Sequence, residues 1–191
     1  LNFVEANPSY DISSLGLVAC GGSAVPVHLM EIFEEKYGVQ VVQAWGMTET
    51  SPLATVARPP ASLDTQERWR LRATQGRPVP GVELRIVGDA GNELPHDGEA
   101  VGELQVRGPW ITGSYIGEED DGEKFQDGWL RTGDVGRIDE RSFVTLTDRT
   151  KDVIKSGGEW LSSVALELLL AGHPDVPEAS VIGVPAEKCQ E

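Results

Sequence analysis

The sequence predicts an α/β unit followed by a β-rich one, with the start of a further α+β domain behind a charged linker. Three observations carry this. Apolar runs at 15–20 and 39–42 flank a stretch of helical period, the pattern of a βαβ unit. Four short alternating runs, at 82–87, 101–107, 133–138 and 143–147, are separated by Gly, Asp and Asn clusters, as in a small, distorted β-barrel or curled sheet. A turn-like, charged stretch from Thr147 to Trp160 then reads as a domain boundary with a flexible corner.

Length and composition bound the reading. A chain of 191 residues holds one good core, or one domain and the beginning of another. With 39% hydrophobic and 25% charged residues it is not a disordered chain. A formal net charge of −15 repels nucleic acid and anionic membrane surfaces, so neither is expected as a partner. Cys20 and Cys189 lie far apart without CxxC spacing, which excludes a disulfide framework and fits a reducing cytoplasm. His28, His96 and His173 fall in no ligand-like cluster. No apolar run approaches the ~20 residues that cross a bilayer, and no secretory signal pattern occurs. The chain opens on Leu1 and stops directly after an apolar run, so it reads as an excised piece.

In chain order, residues 1–14 are polar, contain Pro8 and read as a loop. Leu15 to Cys20 reads as a buried strand that ends in Gly21-Gly22-Ser23. That corner is either a tight turn or a place where backbone approaches a flat or anionic ligand. Val25, Leu29, Ile32, Phe33 and Tyr37 give one apolar helical face, with Pro26 in the first turn and Gly38 as the stop.

The strand Val39 to Val42 empties into Gln43-Ala44-Trp45-Gly46-Met47-Thr48-Glu49-Thr50-Ser51-Pro52. In open α/β sheets, ligands bind beyond the carboxyl ends of the strands. Trp45 offers a ring to a base and Gly46 a close backbone approach. Thr48 offers a hydroxyl to a phosphate oxygen, and Glu49 a carboxylate to a phosphate-bridging magnesium ion. The residues equally suit a strand-to-loop corner with a packed indole and a helix cap.

Residues 57–81, with four prolines and Arg68, Arg70, Arg72 and Arg77, read as an extended connection with a solvated face. The acidic run from Glu118 to Glu123 reads as a solvated loop. Within Asp127-Gly128-Trp129-Leu130-Arg131-Thr132-Gly133-Asp134, a tight Thr-Gly-Asp turn presents a carboxylate. It either accepts both hydroxyls of a ribose or caps its own backbone. Beyond the linker, Ser162 or Ser163 caps a helix running to Ala171, and Ala179 to Val184 reads as a last strand.

The Trp45-Gly46-Met47-Thr48-Glu49 run resembles the aromatic-Gly-x-Thr-Glu signature of the adenylate-forming superfamily, which includes acyl-CoA synthetases, luciferases and peptide-synthetase adenylation domains. Trp-x-x-Thr-Gly-Asp at 129–134 and the linker at 147–160 resemble two further motifs of that superfamily, in the same order. Gly-Gly-Glu-Trp-Leu-Ser-Ser at 157–163 is most similar to fatty acyl-CoA synthetases of the medium- and long-chain type.

The resemblance implies four segments. They are an α/β part of an N-terminal adenylation domain at 1–56, a barrel-like subdomain at 57–147, a hinge at 148–155 and the truncated start of a C-terminal domain at 156–191. It also implies site roles. Gly21, Gly22 and Ser23 border the adenine and the acyl pocket, and Trp45, Gly46 and Thr48 join them around the nucleotide. Thr48 and Glu49 act on the phosphates, Glu49 holding Mg2+, while Asp134 takes the ribose and Arg149 the ribose or phosphate. Lys151 is the pivot, and Lys155, Gly157, Gly158, Glu159 and Trp160 face coenzyme A in the second step.

The implied reaction joins ATP and a fatty or related carboxylate into acyl-AMP, then passes the acyl group to coenzyme A. The superfamily's Ser/Thr-Gly-rich phosphate loop and its C-terminal lysine have no counterpart in these residues, so the polypeptide alone is expected to be inactive. Self-association through surface bared by truncation is expected too. Two readings compete: a non-catalytic AMP-binding or interaction module, and an adenylating enzyme whose acceptor is a carrier protein.

Overall fold

A computed structural model of the chain describes residues 2–117, 123–151, 154–156, 159–171, 173, 176 and 178–184. It divides into two compact units, residues 1–79 and 80–191.

The first unit opens with α1 (Asn2–Ala6), where the sequence predicts a loop. Five residues are too few to show a period. Contacts hold the turn instead: Glu5 pairs with Lys36 at 2.7 Å, and the Phe3 and Tyr10 rings meet at 5.6 Å. The expected βαβ unit follows as β1 (Leu17–Cys20), α2 (Val27–Tyr37) and β2 (Gln40–Trp45). β1 and β2 run parallel, in register from Leu17↔Gln40 to Cys20↔Gln43. α2 begins behind Pro26 and stops at Gly38, whose left-handed backbone lets the Gly38 and Val39 N–H groups bond the Glu34 and Phe33 carbonyls. Its Met30 is fully buried.

The stretch from 57 to 81 is not an extended connection. β3 (Thr55–Val56) and β4 (Arg77–Pro78) continue the first sheet antiparallel, in the order β1-β2-β3-β4, and between them lies α3 (Thr65–Arg72). Asp64 caps α3, its carboxylate accepting the Glu67 N–H at 2.9 Å. The helix escapes sequence reading because its inward residues are few and one is an arginine. Arg72 is buried: its guanidinium pairs with Glu34, donates to the Val41 carbonyl at 2.9 Å and lies 4.1 Å over the Trp69 ring.

The second unit contains β5 (Glu83–Val87), β6 (Glu93–Leu94), β7 (Gly102–Arg107), β8 (Phe125–Gln126), β9 (Trp129–Ile138) and β10 (Val144–Arg149). They pair antiparallel in the order β10-β9-β7-β5-β6, with β8 on β9. Alternation puts Ile86, Leu104, Val106, Leu130, Val135 and Val144 into the core. Bulges between β7 and β9 and between β9 and β10 curl the sheet into a half-barrel. A hairpin of β11 (Ile154–Ser156) and β12 (Glu159–Leu161) and then α4 (Ser163–Ala171), packed against β10, complete it.

The strand expected at 179–184 does not form. Those residues carry no strand pairing; Val181 instead donates its N–H to the Glu167 carboxylate at 2.9 Å. Leu169, Ile182 and Val184 are exposed. No described helix is long and apolar enough to cross a membrane.

Candidate functional site

In the first unit the parallel register brings two predicted segments to one edge. Cys20 lies beside Gln43, so the Gly21-Gly22-Ser23 corner and the run from Trp45 to Glu49 leave the carboxyl ends of neighbouring strands together. Gly21 is there for packing: a Cβ would stand 3.0 Å from the Ala44 carbonyl oxygen. Gly22 carries the turn, and open space surrounds it.

Gln43 is the residue that ties this corner down. Its side-chain oxygen accepts the Val25 N–H at 3.0 Å, and its amide donates to the Arg72 and Ala73 carbonyls at 3.3 and 2.8 Å. The sequence does carry a signal for it: Val41, Gln43 and Trp45 share the inward face of β2, and a polar residue there must find partners.

Trp45 is 6% exposed, so most of its indole is spent on the core. Gly46 answers a close approach, but by the chain itself: a Cβ would fall 1.8 Å from the Pro52 carbonyl oxygen. Thr48 and Glu49 then stand on a 3-10 turn, Thr48–Thr50, with Thr48 exposed and Glu49 half-buried. Thr50, which sequence reading passed over, is fully buried inside this loop. Among the described residues no group of three or more His, Cys, Asp or Glu could hold a metal, so Glu49 belongs to no such cage.

In the second unit, Thr132-Gly133-Asp134 is not a turn. It is the bulge within β9, where Glu103↔Val135 and Gln105↔Arg131 leave two extra residues on the longer strand. Gly133 has φ 72, and its carbonyl accepts both the N–H and the hydroxyl of Thr150, at 2.8 and 3.0 Å. Thr132 donates its hydroxyl to the Leu104 carbonyl at 2.7 Å and accepts the Asp134 N–H at 3.1 Å. The bulge thus aims the Asp134 carboxylate at Arg149, whose Nε lies 3.3 Å from Oδ1.

The next residue along β10, Asp148, is buried and was not foreseen. Its carboxylate accepts the Arg149 N–H at 2.8 Å, the Ser163 N–H at 2.9 Å and the Ser163 hydroxyl at 2.5 Å. Ser162 donates to the Thr147 carbonyl and accepts the Ala165 N–H at 3.1 Å, so both serines pin the first turn of α4 to β10. Lys151 is exposed just beyond Arg149. Lys155, Glu159 and Trp160 lie on the hairpin, Lys155 opposite Trp160, while Gly157 and Gly158 fall outside the described residues. A cavity of about 280 Å³ on the half-barrel, lined by Asp89, Glu103, Gln126, Arg131 and Thr150, contains none of the predicted residues.

The family profile for AMP-binding enzyme matches residues 2–116. The chain is 50% identical, over 94% of its length, to 3-methylmercaptopropionyl-CoA ligase of Ruegeria lacuscaerulensis, and spans 34% of that protein. It is 48% identical to the medium-chain-fatty-acid–CoA ligase of Ectopseudomonas oleovorans, covering 93% of this chain and 33% of the ligase. Among solved structures it superimposes on o-succinylbenzoate CoA synthetase of Bacillus subtilis in complex with its acyl-adenylate, with a TM-score of 0.82 and 31% identity over 98% of this chain and 37% of that one. The chain therefore spans about a third of the length of each of these proteins.

Proposed function

The chain belongs to the AMP-binding enzyme family, and from that membership we propose that it is the central third of an ATP-dependent acyl-CoA ligase acting on an aliphatic carboxylate. The observation that carries the reading is the shared strand edge in the first unit. It puts a glycine corner, a threonine hydroxyl and a single carboxylate where open α/β sheets bind ligands.

In the first step a carboxylate oxygen attacks the α-phosphorus of ATP and pyrophosphate leaves, giving acyl-AMP. In the second the sulfur of coenzyme A attacks the acyl carbon, the thiol proton is lost and AMP leaves. Asp134 takes the ribose hydroxyls, because a carboxylate has acceptor sites beyond the one facing Arg149. Arg149, whose side chain is 65% exposed, contacts the ribose or a phosphate. Thr48 donates to a phosphate oxygen.

Magnesium fits Glu49. A single half-buried carboxylate suits a cation that keeps its waters and takes its other ligands from substrate phosphates, and it would not make a resident metal cage. When bound, the ion neutralises phosphate charge as pyrophosphate leaves. Lys151 serves as the pivot of a hinge at 148–155, and Lys155 with residues 157–160 meets coenzyme A. We place the ligase in the cytoplasm.

The full-length ligase, given ATP, Mg2+ and a series of aliphatic carboxylates from short to long chain, will release pyrophosphate only with an acid present. It will form a thioester when coenzyme A is added. Absence of acid-dependent pyrophosphate release with every member of the series would overturn the proposal.

A further inference from the structure

Thr48 and Glu49 stand on a turn that has little of its own to hold it. A 3-10 turn of three residues makes few and poorly aligned backbone bonds. Here they are Thr50 N–H to the Met47 carbonyl at 2.9 Å and Ser51 N–H to the Thr48 carbonyl at 3.1 Å.

The Thr50 hydroxyl adds to them from inside the loop. It accepts the Met47 N–H at 2.9 Å and has the Pro52 carbonyl at 2.7 Å and the Met47 carbonyl at 3.0 Å as acceptors. One hydroxyl has one proton, and the shorter contact makes Pro52 its main acceptor. The oxygen therefore bridges the residue that enters the turn to the one that leaves it. Thr50 is 0% exposed, so its hydroxyl is spent on the Met47 and Pro52 backbone groups and not on water.

Gly46 fits the same ring: a Cβ there would stand 2.8 Å from the Thr50 hydroxyl oxygen as well as against Pro52. Nothing larger than glycine leaves the bridge in place. Thr50 itself cannot touch a ligand, because its hydroxyl is enclosed by its own loop, yet Thr48 and Glu49, within the segment that the bridge closes, face outward, Thr48 exposed and Glu49 half-buried.

We propose that Thr50 is a positioning residue for the MgATP-contacting groups of this site, acting through the Met47-to-Pro52 bridge on Thr48 and Glu49. The inference rests on the ligase reading above, which gives those two residues their phosphate and magnesium roles.

The test compares Thr50→Val, which keeps the shape and loses the hydroxyl, with Thr50→Ser, which keeps the hydroxyl, in the full-length ligase without carboxylate. Calorimetry measures the affinity for ATP with Mg2+ and for AMP without it, and a melting curve reports the fold. Thr50→Val is expected to weaken MgATP binding about tenfold, or ~1.4 kcal/mol, with AMP binding changed by less than about threefold and Thr50→Ser within about threefold of the wild type on both.

MgATP binding by Thr50→Val equal to wild type would overturn the inference. So would a loss shared equally by AMP and MgATP, which a merely structural threonine gives. Wild-type protein that binds ATP no better with Mg2+ than without, or Glu49→Gln with unchanged Mg2+ dependence, would instead overturn the magnesium role of Glu49 and the inference with it.

Discussion

Arg149 and Asp134 face each other as register partners on β10 and β9, with Nε 3.3 Å from Oδ1. Neither a regular β9 nor a regular β10 would bring them there, since each strand carries a bulge within a few residues of the pair. The carboxylate is 10% exposed and the arginine 65%, so one partner is fixed and the other is free to swing toward solvent.

Arg149→Ala should therefore cost the fold little. Half-exposed ion pairs contribute about 0–1 kcal/mol, and the melting temperature should stay close to that of the wild type. The affinity for AMP should fall by about tenfold, the value of one charge-assisted hydrogen bond of ~1.5 kcal/mol. Paired calorimetric and melting measurements check both.

Gly46→Ala and Gly133→Ala test two different reasons for glycine. At Gly46 the new methyl meets the Pro52 backbone, which must move, and overpacking of this kind costs ~1–3 kcal/mol. At Gly133 space is open but φ is 72, and a left-handed residue costs ~1–2 kcal/mol. Both variants should be less stable in denaturant. Gly46→Ala should also lose affinity for MgATP more than for AMP, whereas any loss in Gly133→Ala, beside Asp134, should be shared by the two.

Gln43→Leu removes the partner of the Val25 N–H and of the Arg72 and Ala73 carbonyls, the Arg72 bond being the buried one. A buried group left without its partner costs ~1–3 kcal/mol, so a loss of that size is expected. Gln43→Glu should do no better, because a carboxylate accepts from Val25 but cannot donate to Arg72 or Ala73. Urea unfolding of the two variants distinguishes this from a simple volume effect.

Asp148→Ala removes three hydrogen bonds, two of them at the start of α4. The expected result is faster hydrogen exchange at the first amides of α4, with β5 and β7 protected as before. Uniform protection across the variant would show that the helix is held by its apolar face alone.

Acid should act on the turn at Asp97. The Ala100 and Glu99 N–H groups, both 2.8 Å from its carboxylate, hold the Asp97 pKa below the ordinary aspartate range. A depressed carboxylate stabilises the fold above its unfolded value of ~3.9 and loses that contribution as pH falls through the lower folded value. Asp97→Asn should thus be less stable than wild type at pH 6, and the two stability curves should converge below about pH 4.

The motif residues were legible because their types are distinctive at short spacing: Trp45 to Glu49, Trp129 to Asp134, and the linker that follows. The βαβ unit and the four main strands of the half-barrel were legible from period alone. What stayed hidden depends on contacts between distant segments. Arg72 reads as one of four solvated arginines until Glu34, Val41 and Trp69 enclose it. Thr132-Gly133-Asp134 looks like a turn because a glycine bulge and a glycine turn share the same backbone conformation, and only the pairing of β9 with β7 tells them apart. Asp148 gains its role from Ser163, fifteen positions later, a separation that no local pattern reports.

Whether Asp134 holds a nucleotide is decided by titrating AMP into the full-length ligase and its Asp134→Ala variant. Two hydrogen bonds to a charged acceptor, at ~1.5–3 kcal/mol each, predict that the variant binds AMP at least about a hundredfold more weakly while melting within a few degrees of the wild type. Equal affinity in the two proteins would contradict the assignment and leave Asp134 a structural carboxylate.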